Sequence, residues 1–323
     1  DLINKNKISE AKKFVNQIDT LSSNLLVIQT KNWVEEGKIE KFNEIFLCEK
    51  KSDVLSEFFF LIANLYSSQK DFEKSNFYMN ISNYLNNKFK FNLTLLSENY
   101  FDNKNYNKSK KVLNNFNKKD EIYYWYKIKT KTKIMSEQKG KEDSFNYINS
   151  EFEKFNKPSA KVLFDMANIS KSFEKYELAI KYYEKVLSTI NSNSNSYAEI
   201  LFRRGSCYER LGKFEKSDND LLKSLKINPD DAYVLNYLAY SWLERNYKIN
   251  DSIKMLEKAH KIKKEDPFIL DSVGWAYYLV GNIIEAEKFL KKAIKIMPHD
   301  PIINDHYGDV LWQLNRRIQA KYY

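Results

Sequence analysis

Three histidines are the first residues to consider for chemistry, because histidine both transfers protons and binds metals near neutral pH. They are His260, His299 and His306. No two of them are four residues apart and no HExxH segment occurs, so the ligand spacing of a helical zinc site is missing. The phosphate-binding and nucleophile motifs GxGxxG, GxxxxGKS/T and GxSxG are absent too. We therefore expect no catalytic residue, no metal site and no cofactor in this chain.

A basic segment is the second candidate for chemistry. Residues 104–141 carry nearly all of the net charge of +10. An aromatic run at 123–126 is followed there by four alternating lysines, Lys127, Lys129, Lys131 and Lys133. Basic and aromatic residues together suggest nucleic acid, but no arginine is present for bidentate phosphate contacts, and alternate residues point to different sides of a helix. We predict no nucleic-acid partner. We favour solvated helix faces, with a basic patch for acidic proteins or anionic lipid headgroups as the alternative.

The spacing of glycine and proline indicates the elements that carry these residues. Three pairs lie 69 residues apart, namely Gly205 and Gly274, Gly212 and Gly281, and Pro229 and Pro298. Two further pairs lie 34 apart, namely Gly274 and Gly308, and Pro267 and Pro301. A 34-residue period predicts helical hairpins that must stack, because one hairpin cannot bury its apolar face alone. With only seven glycines and five prolines, a β-rich fold is disfavoured.

The period divides the chain into one helix and a series of hairpin units. They lie at 8–18, 22–50, 56–89, 90–118, 120–157, 160–197, 198–231, 232–266, 267–300 and 301–323. The unit at 120–157 fits least well, and the insertion NSNSNS at 191–196 is predicted to be a loop. We predict degenerate repeats over 1–157 and better repeats over 158–323, the last of them truncated. Uncapped ends of such a stack predict self-association.

Small residues are predicted where the two helices of a hairpin meet. Serine takes this place at Ser75, Ser109, Ser217 and Ser252. We expect each hydroxyl to bond to the preceding turn of its own helix. Cys48 and Cys207 also occupy small-residue positions and are predicted to lie in the core. Stacked helices are ~8–10 Å apart, so two cysteines several repeats apart cannot form a disulfide.

The segment DSVGWAYYLVGNIIEAEKFLKKAIKIMP, residues 271–298, resembles the tetratricopeptide repeat (TPR). The resemblance implies an all-α fold, a right-handed superhelical solenoid of antiparallel helix hairpins with about nine repeats. In that family, positions 2, 5, 9, 12 and 13 of the first helix line a concave groove that binds protein or peptide. Counted from Pro267 as position 1, they predict these partner-binding residues: Tyr233, Asn236, Tyr240, Phe268, Asp271, Trp275, Tyr278, Asp305, Asp309 and Trp312.

Two tryptophans are central to this prediction. In the family a tryptophan at position 4 packs between helices, whereas here Trp275 and Trp312 fall on predicted groove positions and Trp242 falls on a core position. Covering an exposed indole is worth ~1.5–3 kcal/mol or more, so these rings are candidate anchors for a partner. The alternative is that they pack against neighbouring repeats. The groove carboxylates and amide are expected to accept hydrogen bonds from the N–H groups of an extended peptide.

Three segments in order resemble a narrower group: LNYLAYSWLER (235–245), DSVGWAYYLVG (271–281) and DHYGDVLWQLNRR (305–317). The group is that of proteobacterial outer-membrane TPR lipoproteins that act as adaptors for a periplasmic carboxy-terminal processing protease. The resemblance implies a non-catalytic scaffold, with the protease or its substrates as partner. It also implies a lipid anchor upstream of Asp1 and a periplasmic, outer-membrane-anchored location, with the cytoplasm as the alternative.

No run of 18 apolar residues occurs, so we expect no membrane span within the chain. Two other functions stay open at this point. The repeats could form the arm of a larger enzyme such as a glycosyltransferase, or the basic segment could bind anionic partners.

Overall fold

The computed structural model describes residues 7–323. The chain divides into two compact units, Asp1–Phe173 and Glu174–Tyr323, which we call the N-terminal and C-terminal units. Across the described residues there are nineteen helices and no strand, so the all-α prediction is confirmed. Our predicted boundary between residues 157 and 158 separates degenerate repeats from better ones. The division into compact units does not test that difference, so the boundary stays a prediction.

The helices of the N-terminal unit follow one another through short loops. They are α1 (Ile8–Asn16), α2 (Leu25–Glu36), α3 (Glu40–Ile45), α4 (Lys51–Ser68), α5 (Phe72–Leu85), α6 (Phe91–Asp102), α7 (Tyr106–Leu113), α8 (Glu121–Lys139), α9 (Lys141–Phe152) and α10 (Ala160–Ser172). Those of the C-terminal unit are α11 (Tyr176–Leu187), α12 (Asn195–Arg210), α13 (Phe214–Ile227), α14 (Ala232–Glu244), α15 (Ile249–Ile262), α16 (Pro267–Leu279), α17 (Ile283–Ile296), α18 (Pro301–Gln313) and α19 (Arg317–Ala320).

The C-terminal unit is a stack of helical hairpins. Helices α12 and α13, α14 and α15, α16 and α17, and α18 and α19 pack pairwise. Each hairpin then packs on the next through its second helix, and α14, α16 and α18 also contact one another in sequence. The first helices of successive hairpins therefore lie side by side, as the 34-residue period predicts.

Two glycines explain why the period is visible in the sequence. A Cβ on Gly274 would lie 2.6 Å from Leu290 Cγ, closer than any real contact, so only glycine lets α16 and α17 approach this closely. Gly281 has a φ of +79°, the left-handed conformation that turns the chain from α16 into α17. Both roles are local to the hairpin, which is why they recur at a fixed spacing.

The small serines pack as predicted, but three of the four bond differently from our expectation, and the hydroxyl of Ser217 has no hydrogen-bond partner among the described residues. Ser75 Oγ donates to Ala63 O at 2.7 Å, and Ser109 Oγ donates to Ser97 O at 2.9 Å. These bonds join the two helices of a hairpin, not turns of one helix. Only the Ser252 hydroxyl bonds to its own preceding turn, at Lys248 O. Serine in the N-terminal unit thus adds an interhelical hydrogen bond where alanine would only pack.

The two cysteines lie in different environments. Cys207 is buried within α12, as predicted. The prediction for Cys48 is wrong, because this residue is exposed in the turn between α3 and α4. The physical reason is that α3 ends at Ile45, before the repeat register would place Cys48 against a partner helix.

The N-terminal unit departs from nearest-neighbour stacking. Helix α2 packs against α8, although five helices separate them in sequence. Gln29 Nε2 donates to Asp120 Oδ2 at 3.1 Å, and Lys161 Nζ donates to Leu21 O. The N-terminal hairpin therefore contacts helices far along the chain, which a linear stack of repeats does not do.

Candidate partner-binding groove

A cavity of about 400 Å³ opens in the C-terminal unit, lined by residues of α12, α14 and α16 and by the beginning of α18. Four predicted partner-binding residues lie on its wall, namely Asn236, Tyr240, Phe268 and Asp271. Ile302 lies on the wall as well and begins the exposed face of α18. The groove, as we use the word, is this cavity together with that face of α18.

Matching helix starts bring one row of apolar side chains into register. Asp231, Asp266 and Asp300 cap α14, α16 and α18, and each accepts hydrogen bonds from two backbone N–H groups at 3.0–3.2 Å. A cap fixes where a helix begins and hence the direction of its first side chains. The residue two positions after each cap is about half exposed and apolar or aromatic. These residues are Tyr233, Phe268 and Ile302.

The indole of Trp275 is part of a packed aromatic cluster. Its ring stacks on His306 with centroids 4.1 Å apart and on Tyr278 with centroids 4.9 Å apart. Its Nε1 donates to Glu244 Oε1 at 3.2 Å. Trp275 is therefore half-buried, with its polar atom already bonded. It packs beside the groove and is not the free anchor that we predicted, whereas Trp242 is buried in the core as predicted.

Asp271 and His306 form a buried pair beneath this cluster. Asp271 Oδ1 lies 2.9 Å from His306 Nδ1, and both residues are almost fully buried. Burial raises the pKa of Asp271, and the hydrogen bond from His306 acts in the opposite direction. The expectation that Asp271 offers a free carboxylate to a peptide is thus corrected, because its oxygen already accepts a bond from the next hairpin. The contact of His306 with Asp271 was not predicted, because nothing in the sequence pairs these two residues.

The exposed face of α18 carries two carboxylates and an indole. Asp305, Asp309 and Trp312 follow Ile302 at spacings of three and four residues, which places all of them on one face of the helix. All are exposed, and the Arg317 guanidinium lies 5.4 Å from the centre of the Trp312 ring. Partial burial and the neighbouring Asp305 carboxylate raise the pKa of Asp309. Trp312 therefore matches the predicted anchor more closely than Trp275 does.

Two segments of the chain match models of the tetratricopeptide repeat, residues 160–193 and residues 198–231. These two segments match tetratricopeptide repeats. A TPR repeat-containing protein of Pseudomonas aeruginosa is 32% identical over 108 residues, which make up 32% of this chain and 18% of that protein. A TPR repeat-containing protein of Methanocaldococcus jannaschii is 24% identical over 281 residues, 81% of this chain and 47% of that protein.

The chain spans less than half the length of either curated relative. Among solved structures, a tetratricopeptide repeat protein from Parabacteroides merdae is 20% identical, with a TM-score of 0.46. That match covers 61% of this chain and 76% of the other.

The TPR position numbering would also have found residues that we did not select. Glu209 and Arg210 hold positions 12 and 13 of the repeat that begins at residue 198, and both line the cavity. Glu244 holds position 13 of the next repeat and lines it too. Tyr237 is different, because position 6 is not a groove position, and its hydroxyl donates to Glu209 Oε2 at 2.9 Å. Glu209, Arg210 and Glu244 could therefore have been predicted from their repeat positions, and our prediction omitted them.

The alternating lysines of the basic segment lie on α8, in the N-terminal unit, and two of the four contact other residues there. Lys127 Nζ donates to Phe116 O at 2.9 Å, and Lys129 forms an ion pair with Asp165 at 2.6 Å. Lys131 is half-buried and Lys133 is exposed, so the predicted basic patch rests on these two. Between residues 7 and 323, no helix combines the length and apolar character of a membrane span.

Proposed function

We propose that this chain is a non-catalytic scaffold whose C-terminal TPR unit holds a protein or peptide partner in the groove. The observation that carries the proposal is the cavity of about 400 Å³ bounded by the first helices of successive hairpins. Pockets of this size with apolar walls and a few convergent polar groups are typical binding sites. The cavity combines such walls with carboxylates, a side-chain amide and tyrosine hydroxyls.

The row of Tyr233, Phe268 and Ile302 supplies the apolar contact. Fully covering an apolar side chain is worth about 1.5–3 kcal/mol, and roughly half of that remains available at each exposed member of the row. Beside the row, Asn236 Oδ1 has no hydrogen-bond donor among the described residues. This oxygen is itself buried, so contact with a partner is expected at the exposed row, where the partner's side chains cover Tyr233, Phe268 and Ile302.

The test replaces Phe268 and Trp312 together with alanine. These two rings are exposed, so their loss should leave the hairpins folded while removing two anchors of the groove. We expect the double variant to capture at least about tenfold less partner, because each ring contributes on the order of 1 kcal/mol or more. The measurement is quantitative affinity capture by the full-length protein, repeated as a titration with the purified partner.

A matched control comes from the opposite helices of the hairpins. Ile284 and Ile296 are exposed on α17, outside the groove, and the variant with alanine at both positions should capture the partner normally. Circular dichroism and melting should match the wild type for both variants. Equal capture by all three proteins would rule out the groove as the binding site.

A finer proposal concerns where the scaffold works. The three C-terminal motifs that resemble outer-membrane TPR lipoproteins support a role as an envelope adaptor for a processing protease or its substrates, in the periplasm and anchored at the outer membrane. Fractionation of cells that express the full-length protein tests this placement. Recovery in the cytoplasmic fraction alone would refute the envelope role and leave the scaffold role intact.

A further inference from the structure

Charge is segregated between the two layers of helices in the C-terminal unit. Helices α14, α16 and α18, which form most of the groove, contain no lysine or arginine. Helices α13, α15 and α17, their hairpin partners on the other layer, carry ten lysines against seven acidic residues, which leaves that layer with a net positive charge of three. The acidic residues within the groove helices are Glu244, Asp271, Asp305 and Asp309. The groove is therefore an acidic surface on a unit whose other layer is basic.

The arginines next to the groove do not cancel this charge. Arg204 pairs with Asp220 at 2.7 Å, and Arg245 pairs with Asp218 at 2.8 Å, so both guanidinium groups are held by α13. Arg210 is the cation among the residues that line the cavity, where Glu209, Glu244 and two aspartates are also present.

Two carboxylates of the cavity, Glu209 and Glu244, accept hydrogen bonds from neighbouring side chains. Glu209 accepts its hydrogen bond from the Tyr237 hydroxyl, and Glu244 accepts one from the Trp275 indole. Both donors are neutral. These bonds orient the carboxylates. Arg210 Nε lies 3.8 Å from Glu209 Oε2 and offsets part of that charge, whereas Glu244 forms no ion pair within the described residues, so its negative potential remains available to a ligand.

Two exposed carboxylates of α18, Asp305 and Asp309, add to the negative charge of the groove. Asp305 and Asp309 are four residues apart on one helix face, a spacing at which like charges repel. No lysine, arginine or histidine within the described residues forms an ion pair with either of them. They precede Trp312 on this face, where the Arg317 guanidinium lies over the indole, and Lys263 lies 4.8 Å from the Tyr233 ring in the same way. Each of these two rings therefore already contacts a cation of this chain, as aromatic faces commonly do.

From this charge pattern we infer that the groove selects a partner segment that presents lysine or arginine side chains between apolar ones. The inference rests on the proposed function and adds the chemical class of the partner. The apolar side chains cover Phe268 and Ile302, while the cations reach Asp305, Asp309 and the carboxylates of the cavity. A phosphate-bearing partner such as RNA or an anionic membrane is repelled by the same surface.

Three fluorescein-labelled peptides of equal length test the inference. All alternate leucine with a second residue, which is lysine, glutamine or glutamate. We expect the lysine peptide to bind the full-length protein about tenfold or more tightly than the glutamine peptide, a difference of ~1.4 kcal/mol, and the glutamate peptide to bind most weakly. Binding of the lysine peptide should weaken as salt is raised, because screening reduces the attraction of exposed charges.

Charge-neutral variants assign the preference to the groove. Asp305→Asn with Asp309→Asn should weaken the lysine peptide severalfold and leave the glutamine peptide unchanged. The control, Glu215→Gln with Asp251→Asn, makes the same change in net charge at exposed positions of α13 and α15, and should have no effect.

The outcomes separate the inference from the proposed function. Equal binding of lysine and glutamate peptides, or equal loss in groove and control variants, overturns the charge selectivity. If the glutamine peptide binds as tightly as the lysine peptide and Phe268→Ala with Trp312→Ala weakens both, the groove binds peptide without regard to charge. If no peptide binds the wild type, both the charge selectivity and the peptide groove are wrong.

Discussion

Replacing Asp220 with alanine is expected to lower the free energy of unfolding of the C-terminal unit by about 3 kcal/mol. The Asp220 side chain is almost fully buried and accepts two hydrogen bonds from Arg204, at 2.7 and 2.8 Å. Without it, the Arg204 side chain, which is 18% exposed, keeps one distant counter-charge, Glu184 at 3.9 Å. Breaking a buried pair typically costs about 3–5 kcal/mol, and the remaining glutamate places this case at the lower end.

The pair depends on the close packing of α12 and α13. A Cβ on Gly205 would lie 3.3 Å from Asp220 Cβ, so glycine at this point lets the two helices approach and brings the carboxylate to the guanidinium. Loss of the pair should therefore loosen the hairpin that begins the groove. Because hairpins in a repeat stack are stabilised by their neighbours, we expect partner binding in the adjacent groove to weaken as well.

Urea unfolding followed by circular dichroism measures the effect. Asp230→Ala is the control, since Asp230 pairs with Lys258 on the surface and such pairs contribute about 0–1 kcal/mol. The double variant Arg204→Met with Asp220→Leu should return to within about 1 kcal/mol of the wild type, because it leaves no buried charge unpaired. Unfolding of Asp220→Ala at the wild-type urea concentration would contradict the argument.

The parts of this fold that could be predicted are those that one hairpin determines by itself. Gly274 permits a close contact with Leu290, and Gly281 supplies a left-handed turn. Because each glycine serves its own hairpin, glycine recurs at these positions with the period of the repeat. The contact of α2 with α8 could not be predicted in this way. Gln29 and Asp120 are 91 residues apart, and no period connects them.

For the side chains of the groove, too, the sequence predicts what is local to one helix but not the contacts between helices. The repeat register predicted the faces of Asn236, Phe268 and Trp312 from local spacing, because a helix face follows from its 3.6-residue period. It could not predict that His306 would meet both Asp271 and Trp275, since that contact depends on the relative height of two helices. Register assigns a residue to a face, whereas packing decides whether the residue is free to bind.

The packing of His306 against Asp271 and Trp275 leads to the second large expected effect on stability. Replacing His306 with alanine is expected to lower the free energy of unfolding of the C-terminal unit by about 2–4 kcal/mol at pH 7. Asp271 loses the donor to its buried carboxylate, and Trp275 loses the ring stacked on it at 4.1 Å. The Trp275 indole, which donates to the cavity residue Glu244, should become mobile, so partner binding should weaken together with stability.

The pH dependence distinguishes the lost hydrogen bond from the lost packing. In the wild type, burial raises the pKa of Asp271 above its ordinary 3.8 and the bond from His306 opposes the rise. Without His306 the pKa of Asp271 rises further. A carboxyl with a raised pKa binds its proton more tightly in the folded state, so stability falls as pH rises from 3.8 through the raised value. The deficit of His306→Ala relative to the wild type should therefore be larger at pH 7 than at pH 4.

Two further variants divide the effect between its causes. His306→Phe keeps a ring against Trp275 but donates no hydrogen bond, so it should lose less stability than alanine while keeping the pH-dependent deficit. His306→Ala with Asp271→Asn removes the buried charge, so its deficit should be nearly independent of pH. Urea unfolding at several pH values measures all three variants against the wild type. A deficit of His306→Ala that does not change with pH would mean that packing against Trp275, and not the carboxylate of Asp271, is what His306 contributes to the groove.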